Sequence, residues 1–396
     1  MKGCLSTNKK PFATWPYFAE DEIDVCSEVL RSGRVNYWTG DEGRFFEKEF
    51  AAFIGTRYAL SLANGTVALE LALYSYGIGP GDEVIVPCRT FIASASCVVM
   101  RGAHPVMADV DPESQNITAE TIRPHITPRT KAIIVVHLSG WPCDMDPIIE
   151  LAKKYNLIVI EDCAQAHGAV YKGRKVGSIG HAAAFSFCQD KIVTTGGEGG
   201  MLVTNDPTAW ERAWSYKDHG KNYNSVYAGQ KANGFRWVHD SFGTNFRMTE
   251  MQAAIGRVQL RKLPAWLIKR KANAMKLAEC FSEIAALRVP LPTSDIEHAY
   301  YKFYAFINKK MLKLGWDRDK IINEINLNGV PCYSGSCSEI YLEKAFDVDI
   351  RPKRRFDSAK KLGETSLMFL VHPTLTDADM AYTCEIVKKV FLKASV

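Results

Sequence analysis

The amino-acid sequence predicts an α/β protein: a large domain on a mixed, mostly parallel sheet flanked by helices, then a small C-terminal α+β domain. Three observations point there. Helical and strand patterns alternate from Asp21 to about Thr204, as in a doubly wound sheet. A strongly helical stretch beginning at Met248 then interrupts the alternation. Beyond about Leu287 the pattern changes to one strand-like run, YYKFYAFI, set among helices.

The elements follow in order. DEIDVCSEVLRSG reads as a helix stopped by Gly33, and GRFFEKEFAAFIG as a second stopped by Gly55, each with apolar residues at spacings of three and four. YALSLAN is a strand that feeds the helix GTVALELALYSYGIG. The scheme repeats with the strand DEVIVPCRT and helix FIASASCVVMRGA, the strand PVMADVD, the strand KAIIVVHLSG and helix DMDPIIELAKKYN, and the strand LIVIEDCAQ. Two further short strands flank a glycine cluster, Ala182 to Phe187 and the run leading to Thr204. From Trp210 to Phe242 the chain turns aromatic, basic and irregular, and a loop of that length points to function or an interface. MTEMQAAIGRVQLRKL is a helix, and Pro264 is expected to open or kink a second one, AWLIKRKANAMKLAECFSEI. RDKIINEINLNG, AKKLGETS and DADMAYTCEIVKKVFLKA are the helices of the small domain. The expected division is 1–265 for the N-terminal segment and large domain, and 266–396 for the connecting helix and small domain.

Composition narrows the class. The chain has 396 residues, 47% hydrophobic and 23% charged, enough for a large core. Its net charge of +5 is too slight to argue for nucleic acid, because the single basic run, RPKRR from Arg351, reads as a solvated loop. Eleven cysteines without CxxC pairs or metal spacing imply no metal site and a reducing, cytoplasmic compartment. Neither a signal-peptide core nor a run of about 18 apolar residues occurs, so no membrane association is expected.

The chemistry centres on Lys191. It stands in SFCQDKIVTTGGEGG, between a short strand and glycines that let a flat ring and its phosphate come close. Asp162 and Gln165 lie just past a buried strand, where a carboxylate can reach the protonated nitrogen of a pyridine ring. A lone lysine after a strand is usually solvated, and a lone strand-end aspartate is usually a helix cap. Together they form the pattern of a pyridoxal 5'-phosphate (PLP) enzyme. Asn64, Gly65 and Thr66 end a strand and open a helix, whose N–H groups suit a phosphate, and Ser186 supplies a hydroxyl from a neighbouring strand end. Phe91 leaves another strand at the same edge and can stack on the ring. His137 and His167 also sit near strand ends and receive no catalytic role.

These residues carry a family resemblance. The run NGTVAL, GDEVIVP, IIVVHLSG, EDCAQAHGA, SFCQDKIVTTGGEGG, KDHGKN and GTNFRMTEMQAAIGRVQL resembles the DegT/StrS family of PLP-dependent sugar aminotransferases, in register from about Arg31 to Asn273. The resemblance implies the aspartate-aminotransferase-like fold, fold type I. It implies that Lys191 forms the imine with the cofactor, alternating between PLP and its amine form, and that Asp162 pairs with the ring nitrogen. Gln165 would meet the phenolic oxygen, and Gly65, Thr66 and Ser186 the phosphate. Asn245 matches an asparagine that reaches the phosphate from the other subunit, so a homodimer with shared sites is implied. Trp38, Thr39 and His219 match segments near the sugar. The family also contains dehydratases with histidine in place of the lysine, and this chain keeps Lys191. The substrates implied are a keto sugar, nucleotide-linked, and an amino acid donor such as glutamate, in bacterial surface-polysaccharide or secondary-metabolite synthesis. Two rivals stay open at this point: another PLP class, such as a dehydratase, lyase or racemase, and a non-catalytic regulatory protein on the same fold. The open face of the site is expected to be shaped by Ser215 to Ser241 and the N-terminal segment.

Overall fold

The computed structural model describes residues 12–227, 236–347 and 350–396, so residues 228–235 of the segment expected to shape the substrate face, and the first eleven residues, lie outside it. The chain opens with helices α1 (Glu20–Ser32) and α2 (Glu42–Ile54), each ended by the expected glycine in the left-handed region, Gly33 at φ 69° and Gly55 at φ 89°. The large sheet follows, with strands β1 (Tyr58–Leu62), β2 (Glu83–Pro87), β3 (His104–Ala108), β4 (Thr130–Val136) and β5 (Ile158–Asp162). A hairpin of β6 (Val170–Tyr171) and β7 (Arg174–Lys175) precedes β8 (Ala182–Ser186) and β9 (Gly200–Thr204).

The seven long strands lie in the order β1-β9-β8-β5-β4-β2-β3, and β9 alone runs against the rest. The carboxyl ends of the other six therefore share one edge, where open α/β sheets bind their ligands. Burial on both faces explains why β2 and β4 are nearly continuous apolar runs rather than alternating ones. Helices α3 (Gly65–Ser75) and α4 (Ala93–Met100) follow β1 and β2, and the short α5 (Ala119–Ile122) and α6 (Met145–Tyr155) flank β4. The core below the site edge joins Leu69, Leu73, Val86, Ile134, Ile160 and Leu202.

Two expectations fail here. Part of the segment read as irregular is helix α7 (Pro207–Lys217), followed by the short α8 (Tyr223–Tyr227). Asp206 caps α7 by accepting from the Thr208 and Ala209 amides, Pro207 occupies its first turn, and Ala209, Ala213 and Trp214 are buried. The start signal was an Asp-Pro pair; the density of aromatics after it obscured the helical spacing. The second concerns Pro264, which opens no separate helix. One helix, α9 (Glu250–Ser282), includes it among its 33 residues and continues past position 265. Pro264 is exposed, so water can meet the carbonyl its missing N–H leaves free, while Leu260 and Leu263 hold that stretch to the core.

The C-terminal part is built on a four-stranded antiparallel sheet of β10 (Leu287–Arg288), β12 (Phe303–Ile307), β13 (Cys332–Tyr333) and β14 (Ser366–Phe369), while β11 (Ile296–Glu297) joins the hairpin of the large domain. Helices α10 (Arg318–Leu327), α11 (Asp357–Thr365) and α12 (Asp377–Ala394) cover it, and Phe281 from α9 packs on Phe303 and Phe369 at 5.9 and 5.0 Å between ring centres. The small core is thus fixed to the long helix that also packs on α1 and α2, which brings Tyr301 and Lys302, just before β12, to the site edge.

Candidate active site

Strand ends deliver most of the expected residues to one cavity of about 1420 Å³. Gly65 and Thr66 line it from the start of α3, Phe91 from the turn after β2, Asp162 and Gln165 from the end of β5, and Ser186 and Lys191 from the end of β8. The Asn64 side chain accepts from the Val67 amide at 3.0 Å, which leaves the amides of Gly65 and Thr66 for a ligand at the positive end of the helix. Close approach explains the glycine: a Cβ at Gly65 would stand 2.6 Å from Cβ of Ser186. Phe91 is 67% exposed, an apolar ring held at the cavity wall and left largely uncovered.

Asp162 is buried, and its carboxylate accepts from Ser94 Oγ at 2.9 Å and from the Ala164 amide at 3.1 Å. Burial pushes its pKa up, and those two donors, with the charge of Lys191, only partly oppose the rise. The group therefore awaits a cation. Gln165 accepts from the Ser139 amide at 2.8 Å through Oε1, so its amide nitrogen is the end left for a ligand acceptor. Lys191 is held by its backbone, whose carbonyl accepts from Trp15 Nε1 at 2.8 Å. Its Nζ lies 3.5 Å from the Tyr301 hydroxyl and 3.7 Å from Asp190 Oδ1, and Tyr301 donates to the other oxygen of Asp190. An amine so placed can form a covalent bond to a carbonyl compound and can move a proton.

Four expected residues are elsewhere. Trp38, Thr39, His219 and Asn245 do not line this cavity. Trp38 packs on Trp214 and Tyr227, with Lys221 Nζ 4.1 Å from its ring centre, and Thr39 Oγ1 donates to the Asn36 carbonyl at 3.1 Å. His219 has φ 61°, and its carbonyl accepts from His239. Asn245 pairs with Asp218 as an isolated bridge. Asp218 in turn accepts from Lys221 at 3.0 Å and Arg247 at 2.7 Å, so the four belong to one patch apart from the cavity. Within a single chain, Trp38, Thr39 and His219 lie outside the wall that carries Lys191.

Sequence reasoning missed Trp15, Asp190, Tyr301, Lys302, Tyr304 and His372, all of which line the cavity. The run YYKFY carried one signal, a lysine inside an apolar strand pattern. Trp15 and His372 carried none, because their contact, 6.1 Å between stacked rings, joins the two ends of the chain.

With this geometry in place, the comparisons with known proteins decide the family. The model of the DegT/DnrJ/EryC1/StrS aminotransferase family matches residues 16–388. The chain belongs to that family. A solved aminotransferase from Psychrobacter cryohalolentis is 56% identical, covers 97% of this chain and 99% of its own, and superposes with a TM-score of 0.95. The GDP-perosamine synthase of Caulobacter vibrioides is 42% identical over 300 residues, 74% of this chain and 76% of that one. The enzyme of the same name from Escherichia coli O157:H7 is 34% identical over 95% of this chain and 97% of its own length. The likeness to solved structures spans both domains, and the fold-type-I architecture expected from the family pattern is the one observed.

Proposed function

We propose that this protein is a PLP-dependent aminotransferase that converts a keto nucleotide sugar to an amino sugar with glutamate as amino donor. The convergence of Lys191, half-satisfied Asp162 and the open N-terminus of α3 on one cavity carries the reading. Membership of an aminotransferase family supports it, as do relatives named for nucleotide sugars.

The residues fit the cofactor. The Gly65 and Thr66 amides at the start of α3 are left for a phosphate, and Asp162 is a buried carboxylate short of donors. Gly65, Thr66 and Ser186 would hold the phosphate, Phe91 would cover a ring face, and Gln165 would donate to the phenolic oxygen. When bound, PLP supplies an electron sink for negative charge at the carbon bearing nitrogen. Asp162 holds a proton at the ring nitrogen, because a cation beside it relieves the cost of its own burial. Lys191 Nζ anchors the cofactor and, when free, takes the proton from the substrate carbon and returns it. Tyr301 and Asp190 keep that amine over the site.

A homodimer follows from the same reading. The patch of Trp38, Thr39, His219 and Asn245 lies outside the lining of its own cavity, which supports its completing a partner's site. The ten described cysteines are all free, which supports a reducing, cytoplasmic setting. Among the described residues no helix is long and apolar enough to cross a membrane. The relative SpsC of Bacillus subtilis, named for spore coat polysaccharide biosynthesis, supports a role in surface-polysaccharide amino-sugar supply.

The test is direct. The PLP-loaded protein should be yellow, bleach with L-glutamate and release 2-oxoglutarate, then convert one member of a panel of keto nucleotide sugars to its amine by mass spectrometry. Lys191→Ala should lose the colour and the turnover together; an alanine variant that still turns over would refute the reading.

A further inference from the structure

One cation of the cavity takes no part in holding the cofactor or moving its proton. Two lysines and no arginine line it among the described residues, Lys191 and Lys302. Lys191 is committed to the cofactor. Lys302 sits just before β12, and its carbonyl accepts from Ser139 Oγ at 2.8 Å, the residue whose amide also fixes Gln165. Its Nζ lies 4.7 Å from the ring centre of Tyr301, and Lys191 Nζ lies 5.0 Å from the same centre. The two amines therefore lie within about 10 Å of each other.

Among the described residues no ion pair neutralises this ammonium, and no carboxylate stands within ion-pair distance of Lys302. Asp190, the nearest acidic influence, is engaged by the Tyr301 hydroxyl and by Lys191. Asp162 faces the ring site, and Glu198, also on the wall, has Cys188 Sγ at 3.9 Å. His372, which also lines the cavity, is no competing cation, since burial holds its pKa down to about 3. Burial likewise lowers Lys302 to about 8, a cost that the charge of Asp190 offsets only in part. A structural lysine would keep its head in water or in an ion pair.

Both substrates of the proposed reaction are anions. The amino donor carries carboxylates, the sugar nucleotide carries a diphosphate, and the free amides of α3 are taken by the cofactor phosphate. We propose that Lys302 is the anion-recognition residue of this cavity, pairing with the carboxylate of the donor or the diphosphate of the sugar nucleotide. The role rests on the aminotransferase reading for its substrates, and its test does not rest on turnover. The departure of one water-exposed anion into this pocket offsets the lysine's own desolvation, so binding and specificity come from one residue.

Calorimetric titration of the PLP-loaded protein with maleate and, separately, with inorganic diphosphate tests it. Lys302→Met keeps the stem and removes the charge; Lys302→Arg keeps the charge. The expected result is a Kd for one anion raised about tenfold or more in Lys302→Met and recovered in Lys302→Arg, with the visible absorbance due to Lys191 unchanged in both. A shift for maleate assigns the carboxylate, and a shift for diphosphate the sugar nucleotide. Unchanged affinity for both anions in Lys302→Met, or no binding of either by the parent protein, overturns the proposal. Charge-dependent anion binding in a protein that glutamate does not bleach would sink the aminotransferase reading and leave Lys302 in its role.

Discussion

Glu161 and Asp162 are adjacent on β5, both buried, and point to opposite faces of the sheet. Glu161 accepts from the amides of Gly177, Ile179 and Gly180 at 2.8, 2.8 and 2.6 Å, and from His137 Nε2 at 3.0 Å. The Cys143 amide donates to His137 Nδ1 at 2.9 Å, which fixes the ring as the Nε2–H tautomer. Asp162 has two donors. Their pKa values accordingly part: hydrogen bonds and His137 outweigh the burial of Glu161 and hold it low, whereas burial wins at Asp162 and raises it. Chemical type and depth are shared, so satisfaction alone separates a brace from a binding group. His137, Glu161 and Cys163 also crowd within 4.8 Å, as metal ligands can. The lone pairs that a metal would need are already engaged at His137 and Glu161.

The widest break in that comparison comes from truncating each carboxylate. Glu161→Ala strands three loop amides and an imidazole in the interior, and should lower unfolding stability by about 3–5 kcal/mol. Thermal or denaturant unfolding of the apoprotein measures it, and a loss under about 1 kcal/mol would mean the loop finds water instead. Asp162→Asn should fold normally. Its penalty falls on turnover, lower by about a hundredfold or more, since a neutral amide cannot hold the ring nitrogen's proton. Single-turnover bleaching with glutamate reads this, and wild-type rates in the asparagine variant would remove Asp162 from the mechanism.

The two carboxylates were not equally legible in the sequence. Asp162 was visible because a charged residue at a strand end beside Gln165, upstream of a glycine-flanked lysine, has few structural uses. Glu161, inside the strand, depends on a loop 16 to 19 residues later and had no local signature. The same divide runs through the molecule. Helical spacing of apolar residues with glycine stops located α1 and α2, and short apolar runs located the long parallel strands, so both were set by local pattern. Strands of two residues, such as β6 and β10, exist only through their partners and carry no periodicity to read. Residues after strand ends were found, whereas Tyr301, Lys302 and His372 reach the cavity through packing of the small domain on α9, a tertiary fact.

Acid titration of the apoprotein sharpens the contrast further. The folded pKa of Glu161 is lowered from 4.5, so its contribution is present above pH 4.5 and is lost as pH falls through the folded value. Asp162 is raised from 3.8, so its contribution is full below pH 3.8 and is lost as pH rises through the folded value. The deficit of Glu161→Gln relative to the parent should therefore shrink on acidification. Asp162→Asn should instead be more stable than the parent at neutral pH, with the gain vanishing near pH 3.8. Parallel pH profiles for the two variants would contradict the opposite shifts.

The smallest effect isolates one of the two donors to Asp162. Ser94 Oγ lies 2.9 Å from both Thr90 Oγ1 and Asp162, a short relay that steadies the charged form of the carboxylate. Ser94→Ala removes one charge-assisted hydrogen bond, worth about 1.5–3 kcal/mol in favourable cases and less where water enters from the cavity. Losing it favours the protonated carboxyl, so the acid limb of the pH–rate profile, below which Asp162 can no longer hold the ring nitrogen's charge, should move to higher pH. Turnover at the plateau should fall about tenfold or less, because the Ala164 amide and the bound cation still face the carboxylate. An unmoved acid limb would place the control of Asp162 in its burial rather than in its hydrogen bond from Ser94.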